Sequence, residues 1–238
     1  MKVYEIPVVV RSPSKSGFFD EVSLATTIGI GCAGHTLVFQ NVSQTLTSAF
    51  ANLNGASGQL PSLFELASFA ASVTTEVVSQ LAVLRPDAHG VSLIVGGVDP
   101  RLGTAMAYSV RPAISADAYS VFEGFRVEQC DLEAAAYFVG DHVGEAERRL
   151  AELVEEAAHP IARERAPLQV VREFINDASK TTIGGSLELG FTMGPRFQRV
   201  ATVEPSVWGQ PAAQLMLNGF RIDDIHVGPC AVGIMGMV

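Results

Sequence analysis

A glycine-rich stretch beside a cysteine and a histidine is the first place where residue types and spacing could do chemistry. The segment Gly29-Ile-Gly-Cys-Ala-Gly34 has the spacing G-x-G-x-x-G, which in dinucleotide-binding proteins lets the backbone approach a pyrophosphate at a helix N-terminus. Such a site also has an acidic residue about twenty positions further on, whereas the next acidic residue here is Glu65. We therefore expect these glycines to permit close helix–sheet packing, and the alternative is a site for NAD or FAD.

The cysteines and histidines show no spacing typical of a ligand set. Cys32 and His35 lie three positions apart, so their side chains would not share a face of a strand, in which the period is two. Cys130 and Cys230 are far from Cys32 and from each other, and no CxxC pair occurs. We predict no metal, a free and buried Cys32, and the reducing environment of the cytoplasm.

The charge balance excludes several classes of partner. Sixteen Lys and Arg against 25 Asp and Glu give a formal net charge of −9, and the lysines are Lys2, Lys15 and Lys180 alone. Nucleic-acid binding depends on clustered cations that release counterions, so we expect no nucleic-acid partner. The first residues break at Pro7 and are too short for a signal peptide, and no stretch has the ~18 apolar residues of a membrane helix. We expect no membrane partner.

The elements that must position these residues follow from hydrophobic periodicity. Apolar side chains at helical spacing predict helices over 38–53, 62–84, 141–158 and 167–179. In the second helix, Ser62 and Glu65 have the spacing of a capping box, Asp141 is expected to cap the third helix, and Pro167 to open the fourth. Runs rich in Val, Ile and Thr predict strands over 3–10, 21–30, 91–97, 104–110, 119–125, 186–193 and 197–203.

The predicted helices come in consecutive pairs between groups of strands. This order suits helix pairs that flank antiparallel sheets, and not a doubly wound parallel sheet, in which strands and helices alternate singly. The length of 238 residues and a hydrophobic content of 48% are sufficient for one large core. We predict an α+β fold in a single domain over 1–238, with 204–238 as a C-terminal extension.

Five short motifs occur in an order that resembles a known family. They are Lys2-Val-Tyr-Glu-Ile6, Ile28-Gly-Ile-Gly-Cys-Ala-Gly34, Val91-Ser-Leu-Ile-Val-Gly-Gly-Val-Asp99, Gly140-Asp-His-Val-Gly-Glu-Ala146 and Ile183-Gly-Gly185. Together they resemble the lysine strand, the strand ending in Ala-Gly, a buried strand, a glycine turn and a Gly-Gly pair of the proteasome β-subunit family and its bacterial relatives. These proteins are N-terminal-nucleophile (Ntn) hydrolases.

The resemblance covers residues 2 to 203 and implies a fold and a site. The fold would be a four-layer αββα sandwich, with helices 38–53 and 62–84 in one outer layer and helices 141–158 and 167–179 in the other. Lys2 would be the catalytic-site lysine that lies beside an N-terminal threonine and lowers the pKa of its α-amine. The substrate would be a peptide or an amide, and no cofactor would be needed.

The sequence departs from this family at the site itself. In the family the nucleophile is the first residue of the mature chain, on a hairpin that precedes the lysine strand, whereas here only Met1 precedes Lys2. Asp141 stands where the resemblance implies a serine, and Lys180 and Ile183 where it implies an aspartate and a serine. Two interpretations stay open: the protein has lost the chemistry, or its reading frame begins upstream.

A second position for the nucleophile is possible inside the chain. Thr26-Thr27-Ile28-Gly29 resembles a mature N-terminus of the family, which cleavage after Ala25 or Thr26 would expose. A threonine nucleophile needs a nearby lysine, and Lys180 is the only lysine after residue 27. We expect these threonines to be ordinary β-branched strand residues.

Two main functions follow. The first is a proteasome-like Ntn-fold subunit, a peptide or amide hydrolase by descent, without a nucleophile in the chain as given. The alternative is a non-catalytic structural or binding subunit of a ring assembly, and dinucleotide binding is a third. In the first two cases we expect a ring-shaped homo-oligomer, because apolar or edge surface that a missing hairpin would cover needs a partner.

Overall fold

The computed structural model describes most of the chain up to residue 203 and short segments beyond it. The described residues are 2–56, 58–82, 90–114, 122–131, 136–180, 182, 188–203, 215–217, 220–221, 226–227, 230–231 and 236–237. The four helices are α1 (Thr36–Phe50), α2 (Leu63–Ala82), α3 (Val143–Glu156) and α4 (Pro160–Asn176). The longer strands are β1 (Lys2–Ser12), β2 (Glu21–Gly34), β4 (Val91–Val98), β5 (Ala105–Ile114), β6 (Phe122–Gln129), β7 (Leu189–Met193) and β8 (Arg196–Val203). Short strands are β3 (Leu53–Asn54), β9 (Leu215–Leu217), β10 (Phe220–Arg221), β11 (His226–Val227), β12 (Cys230–Ala231) and β13 (Gly236–Met237).

A curled sheet of six strands forms the centre of the described structure, in the order β3-β1-β2-β4-β5-β6. Adjacent strands of this sheet are antiparallel, except that β1 and β3 are parallel. Alternate side chains of β1 and β4 are buried, as expected for strands with one face against a core. In β1 these buried residues include Ile6, Val8 and Val10.

The helix pair α1 and α2 covers one face of this sheet. In α1, Val38, Phe39, Val42, Leu46 and Phe50 recur at helical spacing and are buried against the strands. The predicted capping box at the start of α2 is present: the Glu65 amide donates to the Ser62 hydroxyl at 3.2 Å, and the Ser62 amide donates to the Glu65 carboxylate at 2.8 Å. This reciprocal pair fixes the start of α2.

Strand β8 packs across the sheet, mainly on β2, and also contacts β1 and β4. It pairs with β7 and β9 in the antiparallel direction and with β13 in the parallel direction. The Phe197 ring of β8 occupies the space beside two glycines, since a Cβ built on Gly29 or Gly190 would lie 2.4 or 2.1 Å from it. Glycine at these two positions therefore allows β8 to approach the sheet closely.

The second helix pair, α3 and α4, has a small core of its own. Its buried side chains are Ala146, Leu150, Leu153, Ala166, Val170 and Phe174. Across the pair, Arg149 donates two hydrogen bonds to the Glu173 carboxylate, at 2.8 and 3.2 Å. The outward side chains are mostly charged, which is usual for a solvated helix face.

Three sequence predictions about helix ends are wrong. Pro167 lies inside α4, and Pro160 opens that helix instead, because Pro160 also has the fixed φ of a first-turn residue. Asp141 is not the cap of α3: His142, at φ 61°, holds the N-cap position. Helix α1 ends at Phe50 and not at residue 53, because Leu53 and Asn54 pair with β1 as β3.

The predicted helix pairs and the antiparallel pairing of the main strands are confirmed by this mixed α/β structure. Stacking of the elements into four layers stays a prediction. Met1, Ile183 to Leu187 and residues 83–84 and 119–121, on which several predictions depend, lie outside the described residues. In the part of the chain that is described, no helix has both the length and the apolar composition needed to cross a bilayer.

Candidate functional site

Lys2, the predicted site lysine, is the first residue of β1 and has an exposed side chain. In the register of the sheet it lies opposite Cys32 of β2. Cys32 in turn pairs with Leu93 of β4. The predicted lysine strand, the strand ending in Ala-Gly and the buried strand are thus direct neighbours at one end of the sheet.

The glycine turn before α3 lies at the same end. Gly140 has φ +105°, and a Cβ at this position would lie 2.6 Å from the Cβ of Ala33. Glycine is required here both for the left-handed backbone and for the contact. Four of the five motifs are therefore brought together by the fold, and Ile183-Gly-Gly185 lies outside the described residues. We call this group, centred on Lys2, Cys32, Ala33 and Gly140, the lysine end.

Cys32 is the thiol nearest to Lys2 in the register, and it is free and buried, as expected. Burial raises the pKa of Cys32 to about 12, and the nearby positive charge of Lys2 opposes this shift without cancelling it. Because the thiolate is the nucleophilic form of cysteine, Cys32 is unreactive at neutral pH. The pairing of Cys32 with His35 is also absent from the described contacts: His35 is the N-cap residue of α1, and its Nδ1 atom is buried without a hydrogen-bond partner.

The two threonines considered as an internal N-terminus lie within β2, paired with β1. Thr26 donates its hydroxyl hydrogen to the carbonyl of Pro195, and Thr27 donates to that of Phe197. Thr26 is also buried. The two hydroxyls thus bind Pro195, just before β8, and Phe197, within β8, to the six-stranded sheet. This supports the prediction that Thr26 and Thr27 are ordinary strand residues.

Lys180 is buried and forms an ion pair far along the chain from Lys2. Its ammonium lies 2.7 Å from the Glu145 carboxylate, 3.6 Å from that of Asp177 and 4.6 Å from the centre of the Phe174 ring. The hydrogen bond from Lys180 lowers the pKa of Glu145. Lys180 therefore joins the first turn of α3 to the turn after α4.

Two residues at the lysine end were not found from the sequence. Glu188 accepts a hydrogen bond of 2.7 Å from the amide of Val3, next to Lys2, and its carboxylate lies 3.8 Å from the Arg199 guanidinium. The amide of Arg199 donates to Glu5 at 3.1 Å. The bonds from Val3 to Glu188 and from Arg199 to Glu5 join residues almost two hundred positions apart, so no local pattern in the sequence could have indicated them. They position the start of β1 and with it Lys2.

Asp99, the last residue of the third motif, has a structural role. It is 1% exposed, and its carboxylate accepts hydrogen bonds from the amide of Leu63 at 2.7 Å, of Arg101 at 2.8 Å and of Leu102 at 2.9 Å. The bond to Leu63 satisfies an amide at the N-terminus of α2, where a negative charge is favourable. Asp99 thus fixes the β4–β5 turn to α2.

The glycines of the G-x-G-x-x-G stretch do not form a loop that could bind a pyrophosphate. Gly29 and Gly31 lie inside β2, hydrogen-bonded between antiparallel β1 and β4, and the Phe197 ring fills the space beside Gly29. A dinucleotide site needs its glycines in the turn between a strand and a helix. In the described segments, no three His, Cys, Asp or Glu side chains are grouped so that they could hold a metal ion.

The concave surface between α3 and α4 has a volume of about 200 Å³. Its lining includes Lys180, Glu145, Arg149 and Glu173, and these four side chains bond to each other in pairs. The groove is therefore an ion-pair network that joins two helices, and it is separate from the residues that define the lysine end.

Comparison with solved structures finds distant likenesses, among them two Anbu structures. No protein-family model and no curated protein match the sequence. The solved structure of the helical assembly of the Anbu complex from Pseudomonas aeruginosa is 14% identical, with a TM-score of 0.45, over 83% of this chain and 80% of that chain. Anbu from Hyphomicrobium sp. strain MC1 is 12% identical, with a TM-score of 0.42, over 83% of this chain and 82% of that chain. Both likenesses are distant.

Proposed function

We propose that this chain is a subunit of an oligomeric, proteasome-like assembly with the four-layer Ntn-hydrolase fold, and that its described part serves assembly and not bond cleavage. One observation carries the second half of this proposal. The lysine end has the exposed ammonium of Lys2, whereas the three candidate nucleophiles, Thr26, Thr27 and Cys32, are unsuited to attack.

The chemical reason is specific to each nucleophile. An N-terminal threonine uses its own α-amine as the base, but Thr26 and Thr27 lie within a continuous strand, and their hydroxyls are bonded to backbone carbonyls. Cleavage before either residue would separate the first part of β2 from the part that pairs with β4. Cys32 stays protonated at neutral pH. Lys2 therefore has no partner for acyl transfer within the described structure.

The oligomeric half of the proposal is supported by the exposed apolar side chains. Phe18 and Phe19 at the β1–β2 hairpin are 74% and 47% exposed, and Phe64 and Phe69 on α2 are 49% and 44% exposed. Phe18 and Phe19 are adjacent in the chain, and a patch of exposed large apolar side chains commonly marks an interaction site. An assembly would bury some of them.

The second candidate function, a hydrolase, is favoured by one feature of the lysine end. Lys2 is exposed at a point where β1, β2 and the Gly140 turn meet, with Glu188 bonded to the next amide. A positive charge at such a point would lower the pKa of an α-amine placed beside it. In that case residues before Met1, or a second subunit, would supply the nucleophile.

Activity and mass measurements separate these functions. We expect purified protein that starts at Met1 to leave peptide and amide substrates intact, to resist covalent inhibitors of N-terminal threonines, and to have a mass in light scattering that is a multiple of 25.2 kDa. N-terminal sequencing and intact mass of the protein from its native cells would show whether a processed Thr, Ser or Cys precedes Met1. Stoichiometric inhibitor labelling at Thr26, Thr27 or Cys32 would overturn the non-catalytic proposal, and a monomer of 25.2 kDa at micromolar concentration would overturn assembly.

A further inference from the structure

Helix α1 has an outer surface without charge. Its exposed residues include Leu37, Gln40, Asn41, Gln44, Thr45 and Ser48, which we call the α1 face. The whole sequence between Glu21 and Glu65 contains no Lys, Arg, Asp or Glu. Solvated helices ordinarily carry charged side chains on the face opposite the core, so the α1 face differs from a surface that is built to stay in water.

Helix α3 shows what a solvated helix of this protein looks like. It is 14 residues long and has five glutamates and two arginines. Both helices have a buried stripe on their inner side, so the contrast concerns their outer sides alone. Depletion of charged residues is the compositional mark of the centre of a protein–protein interface.

The side chains of the α1 face are chemically suited to contact an identical surface. The amides of Gln40, Asn41 and Gln44 each offer both donors and an acceptor, so they can hydrogen-bond with their own kind. Leu37 is 47% exposed and supplies an apolar contact.

We propose that the α1 face is the surface through which two copies of this chain bind each other, across a two-fold axis. This inference rests on the proposed function and names the interface that the assembly would use. A two-fold contact places the same patch on both sides, so the patch must be complementary to itself. An uncharged face with paired donors and acceptors meets this condition.

Because the protein is negatively charged, two copies should repel each other less when they meet through the α1 face than when they meet through other surfaces. Each chain carries a formal charge of −9, so two copies repel each other wherever acidic surfaces meet. Contact through α3 would bring the excess glutamates of both copies together. The α1 face avoids this repulsion, because neither copy contributes a charged side chain from its α1 helix.

Charged variants at two glutamines test the contact. Gln40→Glu with Gln44→Glu adds four negative charges to a two-fold interface, and Gln40→Lys with Gln44→Lys adds four positive ones. We expect each variant alone to weaken self-association by about tenfold or more, in sedimentation or light scattering, because like charges across an interface are repulsive. An equimolar mixture of the two variants should regain association, since its mixed pairs carry opposite charges.

The matched control is placed on the charged helix pair. Ala151→Glu in α3 with Ala162→Glu in α4 adds the same charge at exposed helical positions, and should leave self-association within about twofold. Circular dichroism verifies that each variant is folded. A Gln44→Cys variant with a bismaleimide cross-linker provides an independent measurement: covalent dimers should form at Gln44→Cys and not at a control Ala151→Cys.

The possible outcomes distinguish this inference from the proposed function. Suppose that the wild type is oligomeric, that the double variants at Gln40 and Gln44 associate as the wild type does, and that Gln44→Cys gives no cross-linked dimer. In that case the α1 face is not the interface, and the proposed assembly function stands. If the wild type is monomeric at micromolar concentration, both the proposed function and this inference fail. If both charged variants dissociate but their mixture does not recover, the contact is not two-fold and the inference is wrong.

Discussion

The two helix pairs of this protein are stabilised in different ways. Helices α1 and α2 pack on the six-stranded sheet and bury large side chains such as Phe39, Phe50 and Leu46 completely. Helices α3 and α4 have a core of six mostly small or medium side chains, and their partly buried contacts include the Arg149–Glu173 and Lys180–Glu145 ion pairs. One pair therefore depends mainly on apolar burial, and the other combines limited burial with charge.

This difference shows how one chain can divide its functions between two surfaces. Helix α1, with a large core beneath it, can leave its outer side uncharged, because the burial of its inner side chains stabilises it. A pair with a small core gains from side-chain bonds such as the two from Arg149 to Glu173. The first pair is thereby free to carry an interface, and the second is suited to remain in water.

The largest effect is expected in the core beneath α1. Phe39 is 1% exposed and packs edge-on against Tyr4 at 4.9 Å between ring centres. Phe39→Ala should lower the free energy of unfolding by about 3–5 kcal/mol, since it leaves a cavity in addition to the lost burial. Urea denaturation followed by circular dichroism measures this.

The control for Phe39 is Leu102→Ala in the turn between β4 and β5. Leu102 is 66% exposed and lies outside the α1 face, so the free energy of unfolding should change by no more than about 0.5 kcal/mol. A loss below about 1 kcal/mol for Phe39→Ala would contradict burial as the main source of stability for the α1 and α2 pair.

The contact between the sheet and β8 should give the next largest effect. In Gly29→Ala the new methyl group would lie 2.4 Å from the Phe197 ring, which must move. We expect a loss of about 1–3 kcal/mol in the free energy of unfolding, as for other overpacked sites. Gly96→Ala on β4 is the control, because its nearest neighbours would be at 3.8 Å. Equal stability of the two variants would show that β8 does not approach the sheet as described.

Acid should destabilise the α3 and α4 pair through its carboxylates. Hydrogen bonds from Lys180 and Arg149 lower the pKa of Glu145 and Glu173 respectively. An unfolded chain has the ordinary carboxyl pKa of about 4, whereas these two carboxyls have a lower pKa in the folded protein. At a pH between the two values, the unfolded chain therefore binds more protons than the folded protein does. The stabilisation is complete above that ordinary pKa and is lost as the pH falls through the folded pKa.

The test compares urea midpoints at pH 7 and at pH 3 for the wild type and two variants. Glu145→Gln should be less stable than the wild type at pH 7. It should also lose less stability between pH 7 and pH 3, because the Lys180–Glu145 ion pair is already absent from this variant. Glu147→Gln on the same helix should keep the wild-type pH dependence. A steeper acid loss in Glu145→Gln than in the wild type would contradict a stabilising Lys180–Glu145 pair.

The smallest effect is expected at Gly144 near the start of α3, and the nearby Gly140 is the contrasting position. Gly144 is helical, and a Cβ there would meet nothing within 4 Å, so Gly144→Ala should raise the free energy of unfolding by up to about 1 kcal/mol. Gly140→Ala should lower the free energy of unfolding, because φ is +105° and its Cβ would lie 2.6 Å from Ala33. Thermal melts of both variants are the measurement, and a stabilised Gly140→Ala would show that the turn does not contact β2.

Local sequence patterns predicted much of the fold where one segment contains its own signal. The capping box of Ser62 and Glu65 was predicted correctly, because capping depends on residues within a few positions. The predicted apolar stripes were right only in part: Val42 and Leu46 of α1 are buried as expected, whereas the stripe predicted for the second half of α2 lies beside the residues that are buried there. The start of α4 was predicted incorrectly because Pro160 and Pro167 are both compatible with a first helical turn. Choosing between two such prolines requires knowing which face packs on α3.

The sequence by itself determined the helix pairs and the main strands. Only the tertiary structure decided that Thr26 and Thr27 bond to the carbonyls before and within β8, that Glu188 binds the amide beside Lys2, and that Lys180 pairs with Glu145. Most of these contacts join residues many tens of positions apart, and their partners are fixed by sheet order and by helix packing. A local pattern contains no information about a partner that the rest of the chain must bring into place.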